Sequence, residues 1–294
     1  MHKIGTYVNG NTIVEIFDDG TKIRYAPDDA SAQPDYPESI DMKITNCCDM
    51  NCVQCHEMST SSGKHGNLNS KLIDSLHPYT EVAIGGGDPL SHPKLPELLQ
   101  KLRDKKVIAN ITVHWLSFLK NYQTLLSWKK EGLIHGLGVS VNEVISQDVI
   151  QKIADFPNSV VHTIIGIAER NVYKQFFDEG IRILLLGYKT FGRGKEFKDS
   201  NALNIKMNTN WVKDNILKFT KHFEAVSFDN LAITQTNLKD VLDRETFDHI
   251  YMGDDGSFTM YVDLVENKYA VSSVSERHDI FSDYIEDLFT KVKE

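Results

Sequence analysis

Cysteine is scarce in this 294-residue chain. There are four, and all fall inside "TNCCDMNCVQCHEM" (45–58), between Cys47 and Cys55. Thiols packed this closely cannot tie distant segments together, so a disulfide framework is excluded as the source of stability. No apolar run approaches the roughly 20 residues of a membrane span, and "MHKIGTYVNGN" lacks the apolar core of a signal peptide. The expected location is the cytoplasm. Positive charge is also short: 32 Lys and Arg against 41 Asp and Glu give a formal net charge of −9. That balance argues against a long nucleic-acid partner, whose affinity rests on phosphate neutralisation. Internal repeats and low-complexity linkers are missing. What remains, 41% hydrophobic and 25% charged residues, is ordinary for a globular protein with one large α/β domain or two smaller ones.

The first 26 residues read as a β-meander, with Asn9-Gly10 and Asp19-Gly20 supplying the tight turns. An acidic, proline-bearing loop, "APDDASAQPDYPES", leads to Ile40. From there strands alternate with helices. Strands are expected over 40–45, 81–85, 107–113, 137–141, 160–165 and 181–187, with amphipathic helices such as "KLPELLQKLRDK" between them. Six strands in this rhythm predict a parallel sheet with right-handed crossovers. Periodicity leaves open whether it is doubly wound or bent into an incomplete barrel. Past Gly194 a helix is expected over 211–223, then a short strand in "AVSFDNLAI". A hairpin around Asp255-Gly256 and a closing amphipathic helix in "ERHDIFSDYIEDLFTKVKE" complete the chain.

Cys48, Cys52 and Cys55 are spaced C-x3-C-x2-C just past the first α/β strand. Loops at strand C-termini are where parallel α/β folds build sites, and thiolates favour zinc or iron–sulfur chemistry. Structural zinc and ferredoxin clusters both want a fourth ligand. Cys47, a neighbour pointing elsewhere, is a strained choice, and His56 is expected to be a structural histidine. Three thiolates on a four-iron cluster leave one iron open, which suggests catalysis. The spacing and its place resemble the signature of the radical S-adenosylmethionine (radical SAM) superfamily. The resemblance implies a [4Fe–4S] cluster on Cys48, Cys52 and Cys55. It also implies SAM on the open iron, cleaved by one electron to methionine and a 5′-deoxyadenosyl radical.

Further motifs follow in that family's order. "IGGGDPL" (84–90) resembles its GGE motif, so Gly86, Gly87 and Asp88 are assigned to the methionyl amine, with Asp88 where Glu is usual. A Walker loop is excluded there, since no Gly-Lys-Ser/Thr follows. "GVSVNE" offers Ser140 and Asn142 to the ribose. "HTIIGIAE" resembles G-x-I-x-G-x-x-E, with Ile164, Gly166 and Glu169 matching and His162 in place of the first glycine. "GYKTFGRG" (187–194) presents Lys189 and Arg193 to the SAM carboxylate or an anionic substrate, the alternative being solvated loop cations. Gln54 stands where an aromatic residue often lies near adenine. The polar loop 59–67 is read as a mobile lid or substrate contact, and His114 and Trp115 as rim residues. "GDDG" (253–256) reads as a turn rather than a calcium loop.

The resemblance covers about 40–194. It implies a partial (βα)6 TIM-like barrel of the α/β class, preceded by an N-terminal β-meander and linker (1–39) and followed by a C-terminal α+β extension (195–294). The terminal regions are expected to close the barrel's open side or shape the substrate site. The expected function is a radical SAM enzyme drawing electrons from a donor such as flavodoxin or ferredoxin. Its substrate is unidentified, a small molecule or nucleotide, or a peptide. The competing readings are a metal-stabilised binding module without turnover, holding zinc or a structural Fe–S cluster, and a simple electron-transfer protein.

Overall fold

Alternation of apolar residues decides which face each strand buries. In the strand Ser39–Thr45, Ile40, Met42 and Ile44 point to one side and are almost fully buried, while Asp41 and Lys43 point to the other. The computed structural model describes residues 2–27 and 31–294 and contains two sheets. Asp28 and Asp29 of the acidic loop lie outside the described residues.

The first sheet is the meander β1 (Lys3–Asn9), β2 (Thr12–Phe17) and β3 (Lys22–Tyr25), antiparallel throughout. Its turns contain Gly10 and Gly20 at φ of 59° and 89°, as the Asn-Gly and Asp-Gly pairs demand. Arg24 donates twice to Glu38, at 3.0 and 2.8 Å, and Lys22 reaches Glu81 at 2.8 Å. Those acidic residues stand at the N-terminal ends of the next two strands. The meander therefore braces the end of the main sheet remote from the cysteines and does not shape the site.

The second sheet has ten strands. Those from β4 (Ser39–Thr45) through β5 (Glu81–Gly86), β6 (Ile108–His114), β7 (Gly136–Ser140), β8 (Ser159–Ile164), β9 (Arg182–Leu186) and β10 (Ala225–Phe228) lie side by side in chain order, all parallel. An order that never reverses is not doubly wound, since a doubly wound sheet needs a switch point. The parallel alternation also runs one strand further than expected, because β10 joins it. Apolar residues of one face, among them Val82, Ile84, Ile111, Val113, Leu137, Val139, Val161, Ile183 and Leu185, form the core with helical residues such as Leu98, Leu99 and Ile153.

The C-terminal region departs from expectation. "HIY" ends the helix Arg244–Ile250 rather than starting a hairpin strand, and 253–256 is only a turn. β11 (Thr259–Asp263) instead lies parallel to β4 on its open side, and its hairpin partner is β12 (Lys268–Ala270), which pairs with β13 (His278–Asp279). The helix expected over 211–223 is the far part of a 30-residue helix, Arg193–His222, with non-helical backbone at Asn201. The closing helix is Ile285–Lys293.

One contact fixes the sheet's curvature. The loop after β4 touches the loop after β9: Arg193 N donates to Cys55 O at 3.2 Å, and Lys189 Nζ lies 3.2 Å from His56 Nε2. Five strand steps would separate those loops by about 24 Å on a flat sheet. The sheet is strongly curled, with the polar row of β4 on its inner face.

Candidate metal and cofactor site

The cysteine loop is held from three sides by backbone bonds. From within, Asn51 takes φ of 51°, a conformation asparagine tolerates, and Cys55 N donates to Cys52 O at 3.2 Å. Together these bend the chain tightly between the three thiols. From one flank, the segment 59–66 runs back beside 44–48. Cys48 N donates to Thr60 O at 2.8 Å, Asn46 N to Lys64 O at 2.8 Å and Gly66 N to Ile44 O at 2.8 Å. His65 Nδ1 adds a contact to Thr45 Oγ1 at 2.9 Å. The loop expected to be mobile is therefore pinned at both ends.

From the other flank comes the glycine turn after β5. Gly87 N donates to Thr45 O at 2.7 Å and Asp88 N to Cys47 O at 2.8 Å. A Cβ on Gly87 would stand 2.4 Å from Cys47 O, so glycine is required for the strand end to fit beneath the cysteine loop. Asp88 is half-buried. Its Oδ1 caps the short helical turn Pro89–Ser91 by accepting from Leu90 N at 3.1 Å, and Oδ2 accepts from Ser117 Oγ.

Arg193 closes the third side. Nε donates to Cys52 O at 3.1 Å and Nη2 to Ser59 O at 3.0 Å, so the guanidinium staples the loop together. Burial pushes the Cys48 and Cys52 thiols up, with Asp88 and the neighbouring thiols adding at Cys48 and Cys55 at Cys52, while Arg193 pulls Cys52 back. Cys47 is turned away, its Sγ donating to Ser61 O at 3.3 Å. Among the described residues, no three His, Cys, Asp or Glu donors gather tightly enough for a single metal ion. Three free, half-buried thiols on one braced loop fit an iron–sulfur cluster, whose irons spread the ligands apart, better than a tetrahedral zinc.

The other expected residues lie along the strand ends, in differing states. Gln54 is half-buried between Cys52 and Cys55, and Ser140 ends β7, paired in register with His114 and His162. Asn142 Oδ1 accepts from Ile164 N at 2.7 Å, tying the end of β7 to β8. Gly166 faces the long helix, where a Cβ would meet Ile205 Cγ2 at 2.8 Å, and its carbonyl accepts from Asn208 Nδ2 at 3.1 Å. Glu169 is exposed and precedes the helix Arg170–Lys174 without capping it. Lys189 Nζ also donates to Ser273 Oγ at 2.8 Å. Trp115 Nε1 donates to Glu143 Oε1 at 2.7 Å, and His114 caps the helix Trp115–Lys120 through Leu116 N.

Sequence reasoning missed an ionic network beneath the loop. Lys43 Nζ lies 2.6 Å from Glu57 Oε2 and 3.0 Å from Asp263 Oδ2. Arg277 bridges the same carboxylates, at 2.7 Å to Asp263 and 3.0 Å to Glu57. Burial works to raise Glu57, but contacts with His56 and Lys43 hold it well below the usual carboxylate range. Burial also lowers His56 itself. Charged residues at alternate positions of the otherwise apolar "IDMKIT" were the available signal.

No family model matches the chain. A probable GTP 3′,8-cyclase from Methanococcus maripaludis is 29% identical over 76 residues, 24% of this chain and 25% of that protein. Streptococcus suis SuiB bound to the precursor peptide SuiA aligns with a TM-score of 0.55 and 13% identity, over 87% of this chain and 65% of that one. The SuiB alignment shows a shared fold. SuiB bound to S-adenosylmethionine aligns less well, at a TM-score of 0.41 and 12% identity. The match to the curated cyclase spans a quarter of that protein's length, and the match to SuiB about two thirds.

Proposed function

We propose that this chain is a radical SAM enzyme whose cluster ligands are Cys48, Cys52 and Cys55. The single observation that carries the reading is the braced loop, with Cys48, Cys52 and Cys55 free on it and Cys47 turned away. Loaded with a [4Fe–4S] cluster and SAM, such a site supplies one-electron cleavage of SAM to a radical that takes hydrogen from a substrate.

The chain's own residues position these groups. Arg193 and the Gly86–Gly87 turn hold the loop, and Asp88, fixed by Ser117 and Leu90 N, offers carboxylate oxygens beside it. Ser140, Asn142, Ile164, Gly166, Glu169 and Gln54 are assigned to SAM, with Gly166 and Asn142 acting through backbone placement because their own contacts are spent. Lys189 takes the carboxylate of SAM or substrate. The curled sheet is a partial (βα)6 barrel, supported by the β4–β9 loop contact. Its core is 40–194, with 1–39 and 195–294 as flanking units. Electrons come from a small donor such as flavodoxin or ferredoxin, in the cytoplasm. No helix among the described residues is long and apolar enough to cross a membrane.

The test is anaerobic reconstitution with iron and sulfide counted. About four irons per chain are expected, retained in Cys47→Ala and lost in Cys48→Ala, Cys52→Ala and Cys55→Ala. Tight zinc binding that requires Cys47 or His56 would instead establish the structural-metal alternative.

A further inference from the structure

The inner face of the sheet divides into polar groups that are spent and polar groups that are not. Lys43, Tyr261 and Asp263 are locked into the network with Glu57 and Arg277. Asp41, Asn110, Thr112 and His162, on the same face, make no side-chain hydrogen bond among the described residues. Register places Asp41, Ala83 and Asn110 in one row across β4, β5 and β6. Thr112 stands opposite Gly138, and the His162 ring lies over that glycine, where a Cβ would come within 2.4 Å of its Cε1.

Polar side chains in mid-sheet are normally either buried and paired or turned to bulk solvent. Here they face a concavity with room in it. Asp41 and Ala83 are exposed in the middle of a ten-stranded sheet, and a Cβ on Gly85 would meet nothing within 4 Å. Small residues at 83 and 85 hold the space open between the polar ones. A concave surface with a few convergent, uncommitted polar groups is the usual form of a small-molecule site.

Charge selects the ligand. Enclosure by the surrounding protein pushes the Asp41 carboxyl up from its ordinary value, with Lys189 opposing and Asp229 and Asp255 adding to it. Lys189 is engaged by His56 and Ser273, Asp229 caps the helix Asn230–Thr236, and Asp255 accepts from Asn230 Nδ2 at 2.7 Å. Asp41 alone has no partner. A polyphosphate would meet repulsion here, whereas an N–H cation would supply the missing charge.

We propose that Asp41 is a specificity-determining residue of the substrate site, taking an amine, amidine or guanidine group of a small polar substrate on the concave face, with Asn110, Thr112 and His162 completing the floor. This inference rests on the radical SAM reading only for the name of what is bound as substrate; the binding itself does not require turnover.

The experiment uses the anaerobically reconstituted full chain and two probes, agmatine as guanidinium cation and GTP as polyphosphate, with binding followed by calorimetry. Agmatine is expected to bind the native chain more tightly than GTP does. Asp41→Asn, which keeps the shape and removes the charge, is expected to weaken agmatine roughly ten- to hundredfold and to leave GTP unchanged or improved. Asp41→Glu should stay within a few-fold of the native chain. Agmatine binding that is undetectable at millimolar concentration, unaffected by Asp41→Asn, or weaker than GTP binding overturns the inference. Iron content and 5′-deoxyadenosine release on the same preparation report separately on the radical SAM reading. A chain that cleaves SAM yet ignores agmatine refutes only the assignment of Asp41.

Discussion

Replacing Lys43 by Met removes one of two cations that hold Glu57 and Asp263 together. The side chain of Lys43 is 4% exposed, that of Asp263 is fully buried, and that of Glu57 is 7% exposed. Methionine keeps the volume, so the perturbation is electrical. Two carboxylates are left to share Arg277, whose guanidinium reaches each with one nitrogen. Breaking a buried pair by removing one partner costs about 3–5 kcal/mol, far above the 0–1 kcal/mol of a surface pair. In a chain of this size that lowers Tm on the order of 10 °C. Differential scanning calorimetry of the cluster-free chain reads the effect without interference from iron. Because Glu57 follows Cys55 by two residues, iron retention after reconstitution should fall as well. A Tm within about 2 °C of the native value would refute the network as a structural element, since a solvated pair alone accounts for so small a loss.

The remaining predictions concern the same region. Lowering pH should destabilise the chain through Glu57, because a carboxyl held below its ordinary value contributes stability above the unfolded value near 4.5 and loses it as pH falls toward its folded value. Glu57→Gln should flatten that acid limb in a series of melts, and an unchanged limb would contradict the assignment. Gly87→Ala should cost about 1–3 kcal/mol or abolish soluble expression, as its Cβ would strike Cys47 O at 2.4 Å. Gly85→Ala, with nothing within 4 Å, should fold with a native melting curve. Arg193→Lys should keep the fold but lose iron faster to a chelator, because one ammonium cannot reach both Cys52 O and Ser59 O. Equal chelation rates would show that the staple is dispensable.

The parts of this molecule legible in sequence were local ones. C-x3-C-x2-C, the Asn-Gly and Asp-Gly turns and the six central strands each depend on residues close in the chain, and the structure places them within a residue or two of expectation. What escaped was set by distant partners. Nothing near Thr259 announces that its strand will pair beside β4 instead of folding back at Asp255-Gly256. Arg193 reads as a free cation until the curled sheet brings it onto Cys52 O. Gly166 matched a cofactor motif, yet its missing side chain makes room for Ile205 on the long helix. Polar alternation in "IDMKIT" was visible, but only register separates Lys43, spent on Asp263, from Asp41, which faces open space.

The central claim is that this site cleaves SAM, and 5′-deoxyadenosine measures it most directly. The reconstituted chain, given SAM and a strong reductant without oxygen, is expected to release 5′-deoxyadenosine in step with methionine, and Cys52→Ala to release none. A reconstituted native chain holding four irons that leaves SAM intact under the same conditions would contradict the account.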